Sequence, residues 1–154
     1  MKYTHTLVLI PIVILLVGCG SNRQEEVYYP FNEHTWQRFN ILKFELPVNP
    51  SEQSYRVVFF ARYDQDFPYP SLDFNMVMNT PSGEERIREF HMKVKGADDQ
   101  FLGTSDQGIY EGSVILNKEL FFNKEGMLLI ELENIIPRME TPGLYGVGIR
   151  LQKN

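Results

Sequence analysis

The stretch Leu72-Asp73-Phe74-Asn75-Met76-Val77-Met78-Asn79 constrains the fold more than any other part of this 154-residue chain. Leu72, Phe74, Met76 and Met78 recur at every second position. On a helix these four would scatter around the axis; on a strand they share one face. Tyr55 to Tyr63 carries the same period, with Tyr55, Val57, Phe59, Ala61 and Tyr63 on one side and Arg56 and Arg62 on the other. Thr80-Pro81-Ser82-Gly83-Glu84 is a turn, after which Ile87 to Val94 returns with Phe90, Met92 and Val94 on one face, which makes a hairpin. Further strands are expected at Phe39–Leu46, Ile109–Leu116, Met127–Glu133 and Tyr145–Gln152, separated by Pro47, Pro50, Gly96, Gly126, Pro137, Pro142 and Gly143. Asn117 is placed to cap one short helical turn through Lys118–Phe122, and no long amphipathic helix is expected. About seven to eight strands with closely spaced turns predict an all-β fold, a single β-sandwich of jelly-roll or immunoglobulin-like type.

The amino end follows a different logic. Leu7 to Val17 is an apolar run of about 11 residues behind Lys2, roughly 16 Å long as a helix. A membrane span needs about 20 residues. A short apolar run behind a basic residue reads as a secretory signal. Leu16-Val17-Gly18-Cys19 ends that run and contains the only cysteine in the chain. This is a lipobox: a diacylglyceryl group goes onto the Cys19 sulfur, a peptidase cuts before it, and the new amine is acylated. The expected organisation is a signal peptide at 1–18, an acylated tether at 19–26 and the β-sandwich domain at 27–154. With the one cysteine used for acylation, the domain stands on its core without a disulfide. Two or three acyl chains hold it on a membrane, each buried methylene contributing about 0.8 kcal/mol. Gly20, Ser21 and Asn22 follow the cysteine without the aspartate that commonly retains lipoproteins in the inner membrane, which favours the outer membrane. Gln24-Glu25-Glu26 reads as a solvated tether, and the face of the membrane stays open.

Charge and chemistry exclude more than they assign. Twenty Asp and Glu face 15 Lys and Arg, net −5, and loss of Lys2 makes the chain more acidic still. No basic stripe suited to nucleic acid is present. Only His34 and His91 remain after processing, with no Cys, Asp or Glu at metal-ligand spacing in the sequence, and His91 is expected on the solvated face of its strand. There is no nucleophile elbow, phosphate-binding glycine loop or free thiol, so no enzyme, cofactor or small-molecule ligand is expected. Asp64, Asp66, Asp98, Asp99 and Asp106 lie in loops that a sandwich gathers at its ends; they read as solvated acids rather than a calcium site. Aromatic residues make up 13% of the chain, which raises a sugar-stacking platform of Trp36, Tyr28, Tyr29, Phe31 and Tyr69 as an alternative to core packing. Phe67-Pro68-Tyr69-Pro70 is a rigid loop that either plugs one end of the sandwich or faces a partner.

The order of segments resembles the gliding motility-associated lipoprotein H family. Four stretches carry the likeness: the lipobox, FPYPSLDFNMVMNTPSGE beginning at Phe67, FLGTSDQGIYEG beginning at Phe101, and GMLLIELENIIPRMETPGLYGVGIRLQK beginning at Gly126. The resemblance implies an outer-membrane lipoprotein of the gliding and type IX secretion apparatus, without known catalysis and with protein partners in the envelope. It also directs attention to Phe67, Tyr69, Arg138 and Met139 as a candidate partner surface. Their mix of rings, thioether and guanidinium is that of interface anchors. A lipid-anchored module for glycan or another surface ligand stands as the alternative.

Overall fold

The computed structural model describes residues 24–154, so the signal peptide, Cys19 and most of the tether lie outside the described residues. The chain runs through β1 (Glu25–Pro30), β2 (Thr35–Gln37), β3 (Leu42–Val48), β4 (Tyr55–Tyr63), β5 (Ser71–Asn79), β6 (Glu85–Lys93), β7 (Thr104–Asp106), β8 (Ile109–Leu120), β9 (Gly126–Asn134), β10 (Glu140–Pro142) and β11 (Leu144–Lys153), with one 3-10 turn at Asn32–His34. The strands form a five-stranded sheet, β1-β11-β4-β8-β7, a four-stranded sheet, β3-β9-β5-β6, and a small β10-β2 ribbon. All pairings are antiparallel.

The eight long strands pair in nested fashion. β5 pairs with β6 across the Thr80–Glu84 turn, β4 with β8, β3 with β9, and β1 with β11. The chain is therefore one long hairpin whose two arms pair outward from that turn and wrap across two sheets. This is the connectivity of a jelly roll rather than an immunoglobulin sandwich. The turn at its tip is closed by Gly83 N–H donating to Thr80 O at 2.9 Å.

Alternation decides what fills the space between the sheets. Leu72, Phe74, Met76 and Met78 from β5 are buried against Val57, Phe59, Ala61 and Tyr63 from β4. The Phe59 and Phe74 rings meet across the sandwich at 4.3 Å between centroids. Phe44, Leu46, Leu128, Ile130, Val147 and Ile149 complete the same core.

Several boundaries differ from the sequence reading. β1 begins at Glu25, inside the stretch read as tether, because it pairs with β11 from Glu25↔Leu151 to Pro30↔Gly146. β3 begins at Leu42 rather than Phe39; Arg38 and Phe39 form a turn closed by Asn40 N–H bonding Gln37 O at 3.1 Å, and Ile41 follows it. The expected helical turn after Asn117 is absent, since β8 continues to Leu120. The Asn117 side chain does accept a bond from Glu119 N–H at 3.0 Å, but at a register shift of β8 against β4, between Val57↔Asn117 and Tyr55↔Leu120. A capping residue satisfies the backbone of a bulge by the same chemistry as a helix start.

Candidate functional site

Loops collect at two ends of the sandwich. Residues 49–54, 80–84 and 121–125 lie at the end where β1 begins, and residues 31–41, 64–70, 94–103 and 135–143 lie at the opposite end. The tether therefore joins at the first end, and Phe67, Tyr69, Arg138 and Met139 all sit at the second.

There they divide. Phe67 is fully buried. Its ring lies 6.0 Å from Tyr63 and meets Tyr69 edge-on at 5.7 Å. A buried ring offers no area to a partner, so the contact expected of Phe67 is corrected: it plugs the core, and only the half-exposed Tyr69 reaches the surface. The plug is held from outside by Gly143. That residue has φ +75°, and a side chain there would run into the backbone of Asp66 and Phe67. Its carbonyl also accepts a bond from Asp64 N–H at 3.1 Å.

Arg138 and Met139 remain in solvent, Met139 being 63% exposed. Asn134 explains why. It is completely buried, donates to Thr141 Oγ1 at 2.7 Å and accepts from Ile136 N–H at 3.0 Å. This lock turns Ile136 into the core and leaves the following residues outside. Arg38 N–H bonds Met139 O at 3.0 Å, which lays the Arg38–Ile41 segment beside them. Phe39 is 70% exposed and Ile41 50%, with the Arg38 guanidinium 5.8 Å from the Phe39 ring centroid. Phe39 and Ile41 were missed as surface residues because their apolar character reads as the start of a strand, and Arg38 precedes that strand without a signal of its own.

The aromatic platform raised as the alternative to core packing does not form. Trp36 is buried, stacks on Phe31 at 5.4 Å and donates Nε1–H to Asn40 O at 3.0 Å. Tyr28 instead covers Phe60 on the outer face of the five-stranded sheet, with ring centroids 5.9 Å apart. Side chains at Gly146 or Gly148 would strike these two rings, which is why β11 carries glycine there. Arg62 and Arg150 clamp the pair: Arg62 lies 5.0 Å from the Tyr28 centroid, and Arg150 3.9 Å from that of Phe60. Glu111 accepts from Arg62 at 3.0 Å and pairs with Arg150 at 2.7 Å; Glu26 takes the other side of Arg150 at 2.6 Å. Burial works against the Arg150 charge, but hydrogen bonds to Glu26 and Glu111 outweigh it and hold its pKa above the ordinary value. Burial likewise raises the Tyr28 phenol, against the pull of Arg62.

The loop acids make turns. Asp64 Oδ1 accepts from Asp66 N–H at 2.9 Å and Asp98 Oδ1 from Gln100 N–H at 3.3 Å. His91 stands on the outer face with Nδ1 3.1 Å from Asp73 Oδ1 and Nε2 3.3 Å from Glu89 Oε1. Glu89 shares its strand face and Asp73 faces it across the hairpin, a neighbourhood that single-strand spacing does not reveal. Among the described residues no group of three His, Cys, Asp or Glu is arranged to hold a metal ion.

The model of the GldH lipoprotein family matches residues 23–151, which is nearly the whole described domain. The chain belongs to the GldH lipoprotein family. It is also similar, at 22% identity over 99% of both chains, to a protein of Flavobacterium johnsoniae named gliding motility lipoprotein GldH. The matched span includes both distal loops and the Gly146–Arg150 segment of β11.

Proposed function

We propose that this chain is a non-catalytic lipoprotein of gliding motility, acylated at Cys19, held on the outer membrane and docking on protein partners of the gliding and type IX secretion apparatus. Family membership and the name of its Flavobacterium relative support the setting. The observation that carries the mechanical part is the separation of the two ends. Five residues separate Cys19 from Glu25, the first residue of β1. Even fully extended, that connection spans only about 20 Å. An anchored domain therefore keeps its β1-start end against the membrane and holds the opposite end away from it. The far end carries the exposed Arg38, Phe39, Ile41, Arg138 and Met139. Arg and aromatic side chains with Met are the residues enriched in interface cores.

The anchor is tested by Cys19→Ser with labelled palmitate. The expected result is an unlabelled full-length precursor, because the thioether cannot form and cleavage waits on it. A serine variant that still incorporates palmitate overturns the anchor.

A further inference from the structure

Among the described residues β6 is an edge strand: it pairs with β5 on one side and with no strand on the other. Along nine residues, every second backbone unit points its N–H and C=O away from the sheet, a template for another extended segment. β8 flanks the same side of the sandwich. β7 pairs with it only at Ile109–Glu111, so among the described residues Gly112–Leu120 has β4 as its one paired strand. Between the two strands lie depressions of about 700 Å³, bordered by His91–Lys93 and Glu111–Val114, and about 620 Å³, bordered by Arg86, Arg88, Phe90 and Ile115–Glu119. The larger depression also touches Leu102 and Gly103 of the 94–103 loop, but neither is lined by Arg38, Phe39, Ile41, Arg138 or Met139.

Its charge runs against that of the chain. Arg86 and Arg88 stand opposite Met78 and Met76 of β5, on the core-facing side of β6 at the lip of the groove. Arg86 pairs with Glu84 at 2.7 Å. Among the described residues Arg88, Lys93 and Lys118 enter no ion pair. Of the two carboxylates on the groove, Glu111 is already engaged by Arg62 and Arg150, and Glu119 stands alone against Arg86, Arg88, Lys93 and Lys118. Apart from Glu84, already paired with Arg86, no carboxylate accompanies the two arginines on that face of β6, so a second copy of the edge adds like charge there.

We propose that the β6 edge accepts an extended acidic segment of a partner protein as an added strand. Arg86 and Arg88 are two residues apart, about 7 Å along the strand. A paired strand presents its own side chains at the same spacing, so the segment recognised carries Asp or Glu at alternate positions. Its backbone bonds β6, and its intervening side chains fall on the outer face of the sheet beside the exposed Ile87. Main-chain pairing supplies affinity and the alternating carboxylates supply specificity.

The test uses the full-length protein in detergent and a fluorescein-labelled nine-residue peptide alternating glutamate with valine and threonine. Anisotropy reads binding, and amide hydrogen exchange reads its location. The expected result is binding that weakens about tenfold or more in R86Q/R88Q and at raised salt, with new protection confined to β6. Should R86Q/R88Q lower Tm, Lys118→Gln on the opposite lip serves as the second variant and is expected to weaken binding as well. Absence of binding overturns the proposal. So does equal binding of a scrambled peptide with contiguous glutamates, protection outside β6, or a dimer of the protein that protects β6 without peptide.

Discussion

Two loops leave the same end of the sandwich with similar composition and opposite fates. The β4–β5 loop, 64–70, and the β9–β10 loop, 135–139, each combine proline with large apolar side chains. Each also crosses from one sheet toward the other. In the first, the ring of Phe67 drops inward and closes the end of the core. In the second, Ile136 fills that role, Asn134 holds the backbone around it, and Arg138 and Met139 are left in water. The contrast teaches that a rigid, apolar loop at a sandwich end serves the core or a partner according to which residue the local hydrogen bonds turn inward.

The largest expected effect breaks the first loop. Phe67→Ala removes a fully buried ring, and a cost of about 3–5 kcal/mol is expected in chemical unfolding. The fraction that remains folded should keep its partner; loss of partner by folded Phe67→Ala protein would show that the plug itself is read.

A smaller effect tests the neighbour against which the plug packs. Tyr63 donates its hydroxyl to Leu102 O at 2.5 Å, and burial, with Tyr110 nearby, pushes its pKa up to about 12. The folded protein thus favours the neutral phenol. That contribution is complete below the ordinary tyrosine value near 10 and is lost as pH rises through 12. About 2 kcal/mol should disappear over this window. Tyr63→Phe should lose about 1 kcal/mol at neutral pH with its hydrogen bond and show a flatter alkaline stability curve. Tyr28 and Tyr145 are also raised by burial, so the difference between the two curves, not either slope alone, isolates Tyr63. Parallel curves would contradict the burial of its hydroxyl.

The smallest effect on stability belongs to the second loop. Arg138→Ala and Met139→Ala should each change unfolding by no more than about 0.5 kcal/mol, as surface substitutions do. Each should weaken co-purification of an envelope partner by about 1–2 kcal/mol. A drop in Tm with partner retained would return these residues to a structural role and leave the distal surface to Phe39 and Ile41.

Much of the fold was legible in the chain, because alternation is local. Leu72, Phe74, Met76 and Met78 are buried together as their spacing requires, and the Thr80–Glu84 turn sits where Pro81 and Gly83 put it. The candidate surface was legible only by residue type. Composition marked Phe67 and Met139 alike, and nothing within either segment distinguishes a plug from an exposed side chain. Phe39 and Ile41 were hidden by their own hydrophobicity.

By itself the sequence determined the all-β class, the inward face of each long strand and the tip of the hairpin, since a strand's two faces and a turn's backbone depend on residues a few positions apart. Only the tertiary structure decided the rest. Phe60 points away from the core by alternation yet is fully buried, because Tyr28 of β1 and Arg150 of β11 close over it. The short β1 became a strand because β11 offers it an edge, and the bulge at Asn117 arose because β8 must stay in register with β4. Pairing partners and the roofs over loops are set by residues up to a hundred or more positions away, and no local pattern encodes which distant segment will arrive.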